Sequence, residues 1–243
     1  MVVKRWPRAG GARVAAEQGL ADAQNALGGM YERGQEVPRD HAEAAKWYQR
    51  AAEQGLADAQ NHLGYMYQRG QGVPQAPAEA VKWYRLAAAQ GDDRAMYNLG
   101  LTYANALGIP QDYTVAAKWF RLAAKQGNAH ARYNLGVMYE NGQGVPQDYA
   151  EAVKWYRLAA EQGDAVAQHN LGVMYRDGLS VPRDYVQAHM WFSLAVSRLP
   201  LDEDRDLAVQ GRDAVAASMT PTQIAEAKKL EREWWKPLKA VTT

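Results

Sequence analysis

Residues 131–163 read ARYNLGVMYENGQGVPQDYAEAVKWYRLAAEQG, and this pattern recurs along the chain at one spacing. Its tryptophan, Trp155, has counterparts at Trp47, Trp83, Trp119 and Trp191, each 36 residues from the next with nothing inserted or lost. A fixed period in this range is the signature of a stacked-repeat architecture. Cutting at the period gives five copies, 21–56, 57–92, 93–128, 129–164 and 165–200. The functional question moves accordingly from an active site to a binding surface.

Each copy predicts two helices. The first runs from near Ala21 to near Gly34, with Ala23, Leu27 and Tyr31 on one face at i, i+4 and i+8. Gly28, Gly64, Gly100, Gly136 and Gly172 fall in mid-helix, where glycine costs about 1 kcal/mol relative to alanine. A cost repeated five times implies a compensating gain, and we expect close approach of a neighbouring helix with an aromatic ring over the bare backbone. A loop with a recurring proline (38, 74, 110, 146, 182) ends the first helix. Asp40, Asp148 and Asp184 are placed to cap the second helix, with Glu43, Glu151 and Gln187 three residues on, as in a capping box. The second helix carries Ala44, Trp47 and Ala51 on one face, followed by a Gln-Gly stop at Gly55 and its equivalents. The tryptophans, identical in every copy and on the apolar face, read as core, and Met30, Met66, Met138 and Met174 as packing.

Both ends depart from the pattern. Residues 13–19, RVAAEQG, resemble the end of an earlier copy, so 1–20 is expected to be the remnant of a preceding repeat or an N-terminal cap. In the fifth copy Leu199-Pro200 replaces the glycine stop, and 201–243 predicts two more helices forming a C-terminal cap. Thr220-Pro221-Thr222-Gln223 starts the last one with a capping box, and Ile224, Ala227 and Trp234 give it an apolar stripe.

Composition excludes several classes. With 28 Lys plus Arg against 27 Asp plus Glu, the 243-residue chain has a formal charge of +1 and no basic run, so nucleic acid is not an expected partner. The absence of cysteine removes disulfides and thiolate chemistry. Lys4, Arg5 and Arg8 precede no apolar stretch, and no segment is long and apolar enough to span a membrane. The expected compartment is the cytoplasm as written, or the periplasm or exterior if a leader precedes this sequence. No HExxH, Ser-x-x-Lys or phosphate-loop motif occurs, so no catalytic residue, metal site or cofactor is expected and the chain reads as a non-enzyme.

The sequence A-x-x-x-L-G-x-x-Y, then G-x-G-V-P-x-D, then A-x-x-W-[YF]-x-x-A-A-x-x-G, complete at 131–163 and extending over residues 13–200, resembles the Sel1-like repeats, relatives of the tetratricopeptide class. The MTPTQIAEA run from Met219 is similar to the end of bacterial members. The resemblance implies an all-α solenoid, a right-handed α/α superhelix of antiparallel helix pairs, and a role as adaptor or scaffold for a protein or peptide partner. One cysteine-rich branch is associated with binding or slowly hydrolysing β-lactams. That alternative reading loses the branch's cysteines in this chain.

In such arrays the first helices usually line the concave face. The side opposite Ala23-Leu27-Tyr31 holds positions 22, 25, 29 and 32 and their equivalents, which vary between copies. The first two copies are acidic and amide-rich there, and along the face Asp22, Asp58, Glu32 and Glu140 oppose any RNA. Tyr65, Arg94, Tyr97, Leu101, His130, Tyr133, Val137, His169 and Val173 form the candidate partner-binding strip. Tyr97 and Tyr133 would be anchors, with Asn98, Asn134 and Asn170 holding a bound backbone. Packing between repeats is the other reading of the valines and asparagines.

Overall fold

The computed structural model describes the backbone of residues 9–240 and the side chains of 9–234. Lys4, Arg5 and Arg8 of the N-terminal segment, and the end of the tail, lie outside the described residues. The chain divides at Asn128 into two compact units. The first holds α1 (Ala9–Glu17), α2 (Ala21–Arg33), α3 (His41–Glu53), α4 (Ala57–Arg69), α5 (Pro77–Ala89), α6 (Asp93–Ala104) and α7 (Tyr113–Lys125). The second holds α8 (Ala129–Asn141), α9 (Tyr149–Glu161), α10 (Ala165–Asp177), α11 (Tyr185–Val196), α12 (Glu203–Ala216) and α13 (Pro221–Ala240). No strand occurs among the described residues, and the fold is a helical-repeat solenoid.

The mid-helix glycines are explained by the ring that follows each tryptophan. A Cβ on Gly28, Gly64, Gly100, Gly136 or Gly172 would lie 2.5–2.8 Å from Tyr48, Tyr84, Phe120, Tyr156 or Phe192 respectively. Those five rings are at most 1 % exposed. The tryptophans before them are less uniform than expected: Trp47 and Trp191 are buried, whereas Trp83, Trp119 and Trp155 are only partly so. One residue of offset on a 3.6-residue turn separates the helix face against its own partner from the flank beside it.

The second helices start as expected, but with half of the capping box. Asp40 Oδ1 accepts from the backbone N–H of Ala42 and Glu43 at 2.9 and 3.0 Å, and Asp148 and Asp184 do the same. Asp112 caps α7 through the N–H of Val115. The return bond of the box is missing because the Asp40 N–H already donates to the carbonyl of Tyr31 at 3.0 Å, while Glu43 pairs with Lys46. At Thr220 the box is complete: the Thr220 N–H donates to Gln223 Oε1, and the Gln223 N–H to Thr220 Oγ1.

Successive helix pairs are tied by recurring polar bonds. Arg13, Arg85 and Arg157 donate to the hydroxyls of Tyr31, Tyr103 and Tyr175 at 2.6–2.8 Å. The buried amides of Gln24, Gln60 and Gln168 donate to the carbonyls of Ala16, Ala52 and Ala160 at the ends of the preceding helices. Buried amides bonded in this way fix register, since an unmade bond there would leave a desolvated donor.

The tail packs on α11. Gly211 of α12 lies against the outer end of Phe192, where a Cβ would sit 2.7 Å from the ring. Phe192 is thus held between Gly172 and Gly211. On the other side α13 brings Trp234 edge-on to Trp191, with ring centroids 4.9 Å apart and planes at 69°.

Candidate functional site

In the first unit, Tyr65 is half-buried on α4 with the Arg69 guanidinium 5.5 Å from its ring centre. It borders a hollow of about 520 Å³ with Arg33, Arg39 and His41. On α6, Tyr97 is half-buried, its ring centre 5.8 Å from that of Phe120, and Leu101 is half-buried one turn on. Arg94 is exposed and bonds both Asp58, one period earlier, and Asp92 at 2.7 Å.

In the second unit, Tyr133 on α8 is half-buried with its ring centre 5.9 Å from Tyr156, and burial pushes its phenol above the ordinary value. His130 is exposed, its Nδ1 3.7 Å from the Asp164 carboxylate. On α10, His169 meets Phe192 edge-on at 5.4 Å, and burial pushes its imidazole below the usual value. Val137 packs beside the cluster of Tyr156, Leu171 and Trp191, and Val173 beside Phe192 and Val215. Within each unit the structure therefore brings the expected residues onto adjacent first helices, with Tyr97 and Tyr133 resting on second-helix rings and the valines drawn into packing.

Much of the strip's polar half is engaged inside the chain. Glu32 accepts from the Tyr48 hydroxyl at 2.7 Å, Gln68 from Tyr84 at 3.1 Å, and Glu140 from Tyr156. Where the ring lacks a hydroxyl, at Phe120 and Phe192, the matching strip positions are Ala104 and Arg176. The Asn98 amide donates to Asn61 Oδ1 at 2.9 Å, and the Asn134 amide to the carbonyl of His130 at 2.8 Å. The first bond joins neighbouring repeats, as the packing reading has it, and the second stays within α8.

A larger concavity, about 1030 Å³, lies on the second-helix side of the second unit, bounded by α9, α11 and α13. Its apolar lining is Tyr175, Met190, Trp191, Leu230 and Trp234. Glu161, Asp184 and Glu233 also line it, as does Arg157, whose guanidinium donates to the Tyr175 hydroxyl. This groove lies off the strip, yet the sequence carries a signal for it. In copies one, two and four, exposed Lys–Glu pairs at 2.5–2.6 Å join Lys46 to Glu43, Lys82 to Glu79 and Lys154 to Glu151. The fifth copy has Met190 and Gln187 in those places, and Met190 is only 4 % exposed.

Among the described residues no group of three or more His, Asp or Glu side chains could hold a metal, and no helix is long and apolar enough to cross a membrane. The Sel1 repeat profile matches residues 21–56, 57–92, 93–128, 129–164 and 165–198. A solved structure from Escherichia coli, c5321, described as a protective antigen of uropathogenic strains displaying an SLR fold, is similar at TM-score 0.82 and 36% identity. The match covers 93% of this chain and 47% of the antigen, so the chain spans about half the antigen's length. A Sel1 repeat protein from Oxalobacter formigenes is similar at TM-score 0.73 and 31% identity, covering 90% of this chain and 85% of that one. A Klebsiella pneumoniae protein at TM-score 0.52 and 20% identity, covering 86% and 99%, shares the fold. No curated protein matches the chain.

Proposed function

The chain belongs to the Sel1-repeat family, whose repeats are in general protein-interaction modules, and on that premise we propose that it is a non-enzymatic scaffold binding a peptide or protein segment along the strip of its first helices expected to line the concave face. The observation that supports this reading is the state of Tyr97 and Tyr133. Each ring rests on a buried second-helix aromatic and still reaches solvent, while the neighbouring Glu32, Gln68 and Glu140 are bonded within the chain. A half-buried tyrosine backed by a buried ring is a low-entropy anchor with a polar tip, the type enriched at interface hot spots. Arg94, paired with Asp58 and Asp92, lies three residues before Tyr97, and His130, beside Asp164, three residues before Tyr133.

The test is affinity capture from native lysate with mass spectrometry, comparing wild type with Tyr97→Ala, Tyr133→Ala and the double variant. Circular dichroism checks that all are folded. Partners lost from the variants in proportion to the tyrosines removed would support the strip. Specific partners retained by the double variant would sink it, and a stoichiometric small-molecule ligand with no protein partner would sink the scaffold reading itself.

A further inference from the structure

The groove beside α13 differs from the strip in place and in chemistry. Its floor is aromatic and aliphatic, with Trp191 and Trp234 meeting edge to face and Met190 beside them. Its acidic groups are Glu161 and Glu233, both exposed, and Asp184, whose Oδ1 caps α11. Among the described residues its one lining cation is Arg157, held by the Tyr175 hydroxyl at 2.6 Å. Three carboxylates against one guanidinium leave an acidic rim over an apolar floor. The position that carries lysine in the other four copies (Lys46, Lys82, Lys118, Lys154) is Met190 here, so the charge that would repel a cation is missing only in this copy. The basic residues of α13, Lys228, Lys229 and Arg232, are outside the lining.

We infer that this groove is a second docking site, and that its occupant is a protein segment with a bulky apolar side chain flanked by arginines. The apolar group rests on the half-buried Tyr175, Leu230 and Trp234, and the guanidinium groups meet Glu161 and Glu233 and the aromatic faces. Charge complementarity selects this occupant over an acidic one, and arginine suits the site because its planar cation both stacks on aromatic rings and bonds carboxylates. At about 1030 Å³ the groove is at the upper end of small-molecule sites, which favours a chain segment over a metabolite. The site rests on the scaffold reading but not on the tyrosine strip.

The experiment is fluorescence anisotropy on the full chain with a fluorescein-labelled peptide, Gly-Arg-Leu-Phe-Arg-Gly. Control peptides carry Glu for both Arg, or Ala for Leu and Phe. The protein variants are Glu161→Lys with Glu233→Lys, both at exposed positions, and Tyr133→Ala on the strip. The expected result is binding of the arginine peptide by wild type and by Tyr133→Ala, weakened roughly ten-fold or more by the double charge reversal and by either control peptide. No binding at peptide concentrations up to about 1 mM would overturn the groove alone and leave the strip to its own capture test. Equal binding of the acidic peptide, or equal weakening by Tyr133→Ala, would overturn it too. So would a wild-type dimer in sedimentation that the charge reversal dissociates, since the occupant would then be a second copy.

Discussion

Gly100 faces Phe120 so closely that an added Cβ would lie 2.5 Å from two ring carbons. Alanine gains about 1 kcal/mol of helix propensity there, but overpacking a fixed ring costs about 1–3 kcal/mol or more. Gly100→Ala should therefore lower stability in urea unfolding, against the propensity scale. Gly10 and Gly11 in α1 have no atom within 4 Å of the place an alanine methyl group would take, so alanine at either should stabilise by about 0.4–1 kcal/mol. The same ring position governs the strip. Glu32→Ala leaves the Tyr48 hydroxyl, on a residue 1 % exposed, without its acceptor, a loss of about 1–3 kcal/mol. Adding Tyr48→Phe reproduces the Phe120 and Ala104 pairing of the third copy and should recover part of that loss. A double-mutant cycle showing simple additivity would mean that Glu32 varies for reasons of its own.

At the scale of elements, α11 shows how a helix changes when its neighbour changes. Restoring the repeat's usual residues with Met190→Lys and Gln187→Glu makes the sequence more regular, yet it places a charge beneath α13. Met190 is 4 % exposed, so the double substitution should cost about 2 kcal/mol or more and raise amide exchange in α13. Unchanged thermal unfolding and exchange would show that α13 adds little to α11. This case marks the boundary of what could be read from the chain. The helix pairs, the aspartate caps and the ring over each glycine were readable because the copies can be compared with one another. The docking of α13 was not, because it happens once: Ile224, Ala227 and Trp234 announce an apolar stripe but not what covers it. The dependence of Glu32, Gln68 and Glu140 on the tyrosine hydroxyls was visible as a correlation between columns 16 residues apart. It acquired a cause only when the rings were placed. Helical spacing gathers the strip residues on one side of the first helices, but spacing says nothing of which polar groups already have partners.

At the scale of the whole molecule, the buried titratable groups set limits on both sides of neutral pH. Burial lowers His62 in the first unit and His169 and His189 in the second below the ordinary histidine value near 6.5. Such groups contribute stability above the unfolded value and lose it as pH falls through the folded one, because the unfolded chain then binds more protons. Burial raises Tyr48 and Tyr84 in the first unit and Tyr133 and Tyr156 in the second above the ordinary tyrosine value near 10. Those contribute stability below about pH 10 and lose it as pH rises toward the folded values, because the unfolded chain gives up protons that the folded one retains. Urea midpoints should therefore form a plateau from about pH 6.5 to about pH 10 and fall at pH 5 and at pH 10.5. Tyr48→Phe should flatten part of the alkaline fall while leaving the acid side unchanged. His62→Asn should do the reverse, because the two rings stack at 4.8 Å but titrate at opposite ends of the range. A midpoint unchanged from pH 8 to pH 10.5 would show that the tyrosine hydroxyls ionise as freely in the folded chain as in the unfolded one.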